Sequence, residues 1–275
     1  MQARSALFDL YGDHLRARGG YAAVSALVRL LAPLEISAPA VRTAVSRMVR
    51  QGWLRPTRLH HGPGYALTPK AVRRVDDAAA RIYRITPPAW QGAFDLLLVD
   101  PPASRTGRAR LAANLGYLGY GQLTGTTWIA PRHAPDLEPM LAEAAVTAER
   151  FRSEPAGGTA TATTLAHRAW DLDALAGAYR RFTDELRPVV EPVGPGEADA
   201  TAYLARFRLV HAWRTFLFRD PQLPAELLPD KWPGLAAAEF FDHHARRLRP
   251  AADRHVDRCL DAHRPDLTAT RRGAL

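Results

Sequence analysis

Between Ser37 and Gly52 the chain reads SAPAVRTAVSRMVRQG, and its apolar and polar positions separate at helical spacing. Stepping 100° per residue from Pro39 gathers Val41, Ala44, Val45, Met48 and Val49 into one arc. Arg42, Thr43, Ser46, Arg47 and Arg50 fall in the opposite arc, with no carboxylate among them. Ser37 is an N-cap residue, Pro39 suits a first turn and Gly52 suits a stop, so the pattern predicts a helix over 37–52. Two further helices are predicted before it, from Gln2 to Arg18, ending at Gly19-Gly20, and from Ala22 to Leu31, ending near Pro33. Two strand-like runs follow it, Trp53–Leu59 and Tyr65–Thr68, joined by the turn His60-His61-Gly62-Pro63-Gly64. Three helices and then a hairpin is the order of a winged helix-turn-helix.

Pro69 opens a linking helix to about Tyr83, and Thr86-Pro87-Pro88-Ala89-Trp90 reads as a boundary. The apolar run Phe94–Asp100 has strand length and is closed by Pro101-Pro102. A helix from Arg105 to Leu118, a strand through Thr127-Trp128-Ile129 and a helix from Asp136 to Thr147 come next. This β-α-β-α order suggests a small ferredoxin-like α/β domain. From Trp170 onward the chain reads as helical, with helices over 171–186, 199–218, 235–248 and 251–262. The expected organisation is α+β and multidomain: a winged helix-turn-helix over 1–68, a linker over 69–91, a ferredoxin-like middle domain over 92–166, a helical domain over 167–264 and a disordered tail over 265–275.

Charge changes this picture from a fold to a partner. Residues 1–91 carry 14 Lys and Arg against 5 Asp and Glu, and 92–275 carry 23 against 23, so the whole net charge of +9 lies in the first third. A polyanion is the natural partner for that third, because cations gain affinity by releasing counterions from phosphates. An arginine-rich composition alone does not explain why acids balance bases in one part only. On the helix, Arg42, Thr43 and Ser46 lie in the half that enters a major groove most deeply; Arg42 and Ser46 are candidates for base contact, and Arg47 and Arg50 for phosphate contact. Ser37 at the helix start, and Arg55, Arg58, His60 and His61 in the wing, complete the candidate DNA-binding set. The competing reading is a solvated helix face. The two-face split, the following hairpin and the local charge together favour DNA.

Composition removes other classes. A single cysteine, Cys259, rules out an internal disulfide. The first residues hold no apolar segment of signal-peptide length and no stretch is apolar enough to span a bilayer, so a cytoplasmic protein without membrane association is expected. No nucleophile elbow, P-loop or dinucleotide fingerprint occurs, so neither an enzyme nor a cofactor is expected.

Several strings resemble the phenylacetic-acid degradation repressor (PaaX-type) family. They include Leu10-Tyr11-Gly12-Asp13, Arg18-Gly19-Gly20, the run from Ala40 to Val49, Gly52-Trp53-Leu54, Ala169 to Leu175, and the string from Asp220 to Gly234. The resemblance spans residues 6–250. It implies a winged helix, a middle domain similar to the Cas2 fold and a C-terminal helical domain. It further implies a homodimeric repressor of aromatic-acid catabolism, released from its double-stranded DNA operator by an aromatic acyl-CoA, typically phenylacetyl-CoA. The wing LHHGPGYALT is less basic than the family's arginine-rich wings.

A CoA thioester needs cations for its phosphates and an apolar slot for its acyl end. Arg180 and Arg181 on one helix, and His211, Trp213 and Arg214 on the next, form the candidate effector-binding set, against the alternative that the aromatics are core and the arginines solvated. His255, Cys259 and His263 share one helix stripe, but Arg264-Pro265 should fray its end and no Cys-x-x-Cys pair accompanies them, so no metal site is expected. Asp100 ends a strand where Cas2-like nucleases carry a metal-binding acid. A metal-dependent nuclease is therefore the alternative reading, and it needs Asp95 as a partner.

Overall fold

The first eighteen residues show how apolar spacing becomes architecture. Helix α1 (Ala3–Leu10) buries Ala6, Leu7 and Leu10, and the chain stays helical through a wider π turn at Tyr11–Leu15 and a tight 3-10 turn at Arg16–Arg18. Gly19 then takes φ +89°, where an added Cβ would stand 2.6 Å from the Tyr21 ring, so only glycine ends the helix here. The computed structural model describes residues 1–59, 62–82 and 89–261. Within them the chain is an α+β protein with two antiparallel sheets and two compact units.

The first unit takes Met1–Ile85, Asp184–Trp213 and Glu239–Leu275. After α1 come β1 (Tyr21–Ala23), α2 (Val24–Leu31), α3 (Ala38–Arg50), the hairpin strands β2 (Leu54–Leu59) and β3 (Gly62–Leu67), and α4 (Pro69–Ile82). The strands form a sheet of order β1-β3-β2, with Arg55 opposite Ala66 and Thr57 opposite Gly64. Its core joins Leu7, Leu10 and Tyr11 to Leu27, Leu30, Val41 and Met48. Tyr203 and Phe207 of α9 (Asp199–Arg214) and Ala252 and Val256 of α10 (Pro233–Asp261) complete the same core. The fully buried leucines and methionine among these each contribute on the order of 2 kcal/mol of burial.

The second unit takes Thr86–Thr183 and Arg214–Ala238. It contains β4 (Phe94–Val99), α5 (Arg105–Tyr117), β5 (Gly121–Gln122), β6 (Thr127–Ala130), α6 (Leu137–Ala144), β7 (Ala148–Ser153) and α7 (Gly158–Ala169), followed by α8 (Leu172–Val190), which continues into the first unit. The sheet order is β5-β6-β4-β7. Strand alternation sends Leu97, Val99 and Trp128 into a cluster with Leu111, Leu115 and Leu137 from α5 and α6. Phe94 and Ile129 instead meet Ala162 and Ala166 of α7, with Leu223 and Leu227. The proline-rich stretch after Arg219 is fixed by Asp220, which accepts from the Tyr179 hydroxyl at 2.6 Å and from the Gln222 amide at 2.8 Å.

The main departures from expectation lie in the second half of the chain. The helices expected over 235–248 and 251–262 are one helix, α10, with Pro250 inside it. Leu248 and Ala252, on either side of that proline, are both buried, and this packing outweighs one lost backbone bond. The strand β7 was not expected, because every side chain of AERFRS is partly or fully exposed and its apolar signal is a single phenylalanine. The expected boundary at 86–90 and the tail over 265–275 fall wholly or largely outside the described residues. No helix among the described residues is long and apolar enough to cross a membrane.

Candidate nucleic-acid interface

Helix α3 is capped and oriented by its own sequence. The Ser37 hydroxyl accepts from the Ala40 amide at 3.4 Å, a proline occupies the first turn, and Gly52 leaves the helix at φ +70°. Val41 and Met48 have no exposed surface, and Ala44 and Val45 are nearly as deep, so α3 is pinned on α1 and α2. Arg42, Thr43, Ser46, Arg47 and Arg50 are all exposed on the outer face, as is Ser37 at its start. Arg47 and Arg50 lie in the last turn, where the helix dipole favours cations.

The hairpin continues this surface. Arg55 and Arg58 are exposed on β2, an edge strand whose outer side also carries Pro56. Gly64 permits the hairpin to close against β1, because a Cβ there would stand 2.5 Å from Leu59 and 2.9 Å from the Ala22 carbonyl. His60 and His61 lie outside the described residues.

No carboxylate among the described residues pairs with Arg42, Arg47, Arg50, Arg55 or Arg58. Several other arginines of the unit are partnered. Arg16 makes a bidentate pair with Asp76 at 2.9 and 3.0 Å, Arg18 meets Asp257 at 2.7 Å and Asp253 at 3.2 Å, and Arg254 and Arg258 share Asp199. Asp199 is held below the usual carboxylate range, first by its bond to Arg254 and then by Arg258. The arginines of α3 and the hairpin therefore keep their field, while these others are paired with carboxylates of the same unit.

Behind α3, a buried polar network fixes α1 that sequence reasoning had missed. Arg206, 1% exposed, makes a bidentate pair with Asp13, 5% exposed, at 2.9 and 2.6 Å, and also donates to the Ala245 carbonyl. His211 Nδ1 lies 2.6 Å from the buried Asp9. The imidazole of His14, also buried, lies 3.2 Å from Asp13 and 3.5 Å from Asp253. Asp253 is held well below the carboxylate range, first by His14 and, against the cost of burial, by Arg18. The Tyr203 hydroxyl donates to the Leu30 carbonyl at 2.8 Å, and Tyr11 donates to the Tyr65 carbonyl at 2.9 Å; burial pushes both phenols up. The available sequence signal was polar Asp9 and Asp13, four residues apart, in a helix that is otherwise apolar on that side.

The candidate effector residues divide between the units. His211 is engaged with Asp9, and Trp213 is buried and stacked on Phe241 at 4.8 Å, both within the first unit. Arg180 and Arg181, exposed on α8, and Arg214, half-buried, belong to the second. Cys259 Sγ and His255 Nε2 are 3.6 Å apart, with burial raising the thiol and lowering the imidazole. His263 lies outside the described residues, among which no group of three or more His, Cys, Asp and Glu is placed to hold a metal. Asp100 is exposed, but Asp95 accepts from Tyr120 and from Arg150 Nε at 2.7 Å, so the second acid that a nuclease needs is committed to a structural pair.

These features define an α+β protein that presents a carboxylate-free cationic helix beside an antiparallel hairpin. The sequence matches the PaaX-like protein family model over residues 2–71 and the PaaX-like protein C-terminal domain model over 170–258. It is 30% identical over 256 residues to the transcriptional repressor PaaX of Escherichia coli (strain K12), covering 90% of this chain and 81% of that protein. Among solved structures it is similar to the uncharacterized protein Rv0674 from Mycobacterium tuberculosis, with a TM-score of 0.63, 25% identity, and coverage of 92% of this chain and 98% of that one. The chain belongs to the PaaX-like family.

Proposed function

We propose that this protein is a PaaX-type transcriptional repressor, cytoplasmic and homodimeric, that binds a double-stranded DNA operator through a winged helix-turn-helix over residues 1–68. The observation that carries the reading is the outer face of α3, with three exposed arginines, a serine, a threonine and no acid partner among the described residues. In this reading α3 enters the major groove. Arg42, Thr43 and Ser46 address base edges, and Ser37, Arg47 and Arg50 face the backbone. The hairpin is the wing, with Arg55, Arg58, His60 and His61 against phosphates or the minor groove. The β-α-β-β-α-β order of the second unit supports a ferredoxin-like label for residues 92–166, whereas the helices expected as one domain over 167–264 are divided between the two units.

The regulatory half of the reading comes from the family. An aromatic acyl-CoA such as phenylacetyl-CoA binds and favours a dimer geometry whose two α3 helices no longer match successive major grooves. Two measurements test the halves separately. Binding to the DNA upstream of its own coding sequence should fall steeply with salt. A panel of acyl-CoA thioesters, titrated into that complex, should include an aromatic member that releases the DNA. Release by none of them removes the effector and leaves the DNA reading intact.

A further inference from the structure

Two cations of the first unit lie outside α3 and the hairpin and are held in place by aromatic rings. The Arg4 guanidinium sits 5.6 Å from the centre of the Phe8 ring, and Lys70 Nζ sits 5.2 Å from that of Trp53. The two rings meet edge to face, 5.3 Å apart at 80°. Phe8 and Trp53 are half-buried and pack against the core, so the rings are fixed. A ring face attracts a cation without neutralising it. Arg4 and Lys70 are therefore positioned while their charges stay exposed, and no carboxylate among the described residues pairs with either.

Helix stability does not explain these residues. Each is the second residue of its helix, α1 or α4, where the dipole favours acids, and neither first turn contains one. Their place beside α3 gives another reason. Trp53 follows α3 directly, its amide donating to the Met48 carbonyl at 2.9 Å. Thr68, which caps α4 through the Ala71 amide, donates its hydroxyl to the Gly52 carbonyl at 2.7 Å, which brings Lys70 to the end of α3 that carries Arg47 and Arg50. The ladder Arg4–Phe8–Trp53–Lys70 thus extends the cationic ridge past its last turn.

We propose that Arg4 and Lys70 form a second phosphate-contact site, anchored on Phe8 and Trp53, for the sugar–phosphate backbone flanking the bases that α3 reads. The proposal rests on the DNA-binding reading and adds a distinct set of contacts to it. Backbone contacts of this kind set register and affinity but carry no sequence information.

The test is the salt dependence of binding for wild type, R4A/K70A and R4K/K70R, on the duplex upstream of its own coding sequence and on a short duplex of mixed sequence. Each lost phosphate contact should lower the slope of log affinity against log salt by about 0.9, so R4A/K70A should lose about 2 from the slope. Its affinity should drop by roughly tenfold on both duplexes, with the ratio between them unchanged, and R4K/K70R should keep the wild-type slope. A wild-type slope and affinity in R4A/K70A, with wild type binding normally, overturns this site and leaves the α3 reading standing. Equal loss in the alanine and charge-retaining variants also overturns it, since the cause is then structural. A wild-type protein that binds neither duplex overturns the DNA reading itself.

Discussion

The arginines of α3 and those facing α9 and α10 belong to the same compact unit and do opposite work. Arg206 is buried, bidentate to Asp13 and bonded to a backbone carbonyl, and Arg18, Arg254 and Arg258 also have carboxylates within 4 Å. Arg42, Arg47 and Arg50 are exposed and unpaired with any acid among the described residues. A buried ion pair is a poor source of net stability, because desolvation offsets most of the attraction, but it defines one docking geometry. An exposed, uncompensated cation adds nothing to the fold and keeps its field for a partner. One side of the unit uses charge to fix where the helices lie, and the other leaves it uncompensated at the surface.

That contrast can be broken most sharply at Arg206. Arg206→Ala leaves Asp13 buried without its partner and should cost about 3–5 kcal/mol, read by urea unfolding. The exposed α3 arginines should change stability by no more than about 0.5 kcal/mol when replaced. A comparable cost at Arg42 would erase the distinction between the two groups.

The next effect concerns pH. His244 is buried, and burial first, with Arg247 next, depresses its pKa to about 4. His243 and Arg187 push it in the same direction and Glu191 opposes them. The unfolded imidazole binds its proton near pH 6.5 and the folded one resists until about 4, so stability present above pH 6.5 is lost as pH falls through that window. At pH 5 the wild type should have lost about 1–2 kcal/mol more than His244→Phe, each relative to its own value at pH 7. Parallel losses in the two proteins would show that His244 does not carry the effect.

The smallest effect sharpens the role of Ser37. Its hydroxyl is used in capping α3, so Ser37→Ala should cost about 1 kcal/mol of stability. It should also weaken DNA binding in proportion to the fraying of the first turn. Weaker binding at full stability would instead show that Ser37 acts through its backbone contact with the duplex rather than through the cap.

The two faces of α3 were readable because a period of 3.6 residues sorts Val41, Val45 and Met48 from Arg42, Ser46 and Arg50 without long-range information. Gly19, Ser37 and Gly52 marked helix ends through conformations that depend on the residue itself. The network around Asp13 was not readable, since Arg206 lies 193 residues away and only folding brings the two together. Strand β7 was hidden because its pairing with β4, Leu96 opposite Phe151 and Leu97 opposite Arg150, is set by the neighbouring strand. Pro250 misled because local propensity predicts a break where burial on both sides sustains one helix.

The central claim concerns the outer face of α3, and competition binding tests it most directly. Wild type and Arg42→Ala are each titrated with the duplex upstream of the protein's own coding sequence against an unrelated duplex. The account predicts a clear wild-type preference that Arg42→Ala reduces by about 1–3 kcal/mol, with the fold unchanged by circular dichroism. Wild-type binding with no preference between the duplexes, or a preference that survives the loss of Arg42, Arg47 and Arg50 together, would contradict it.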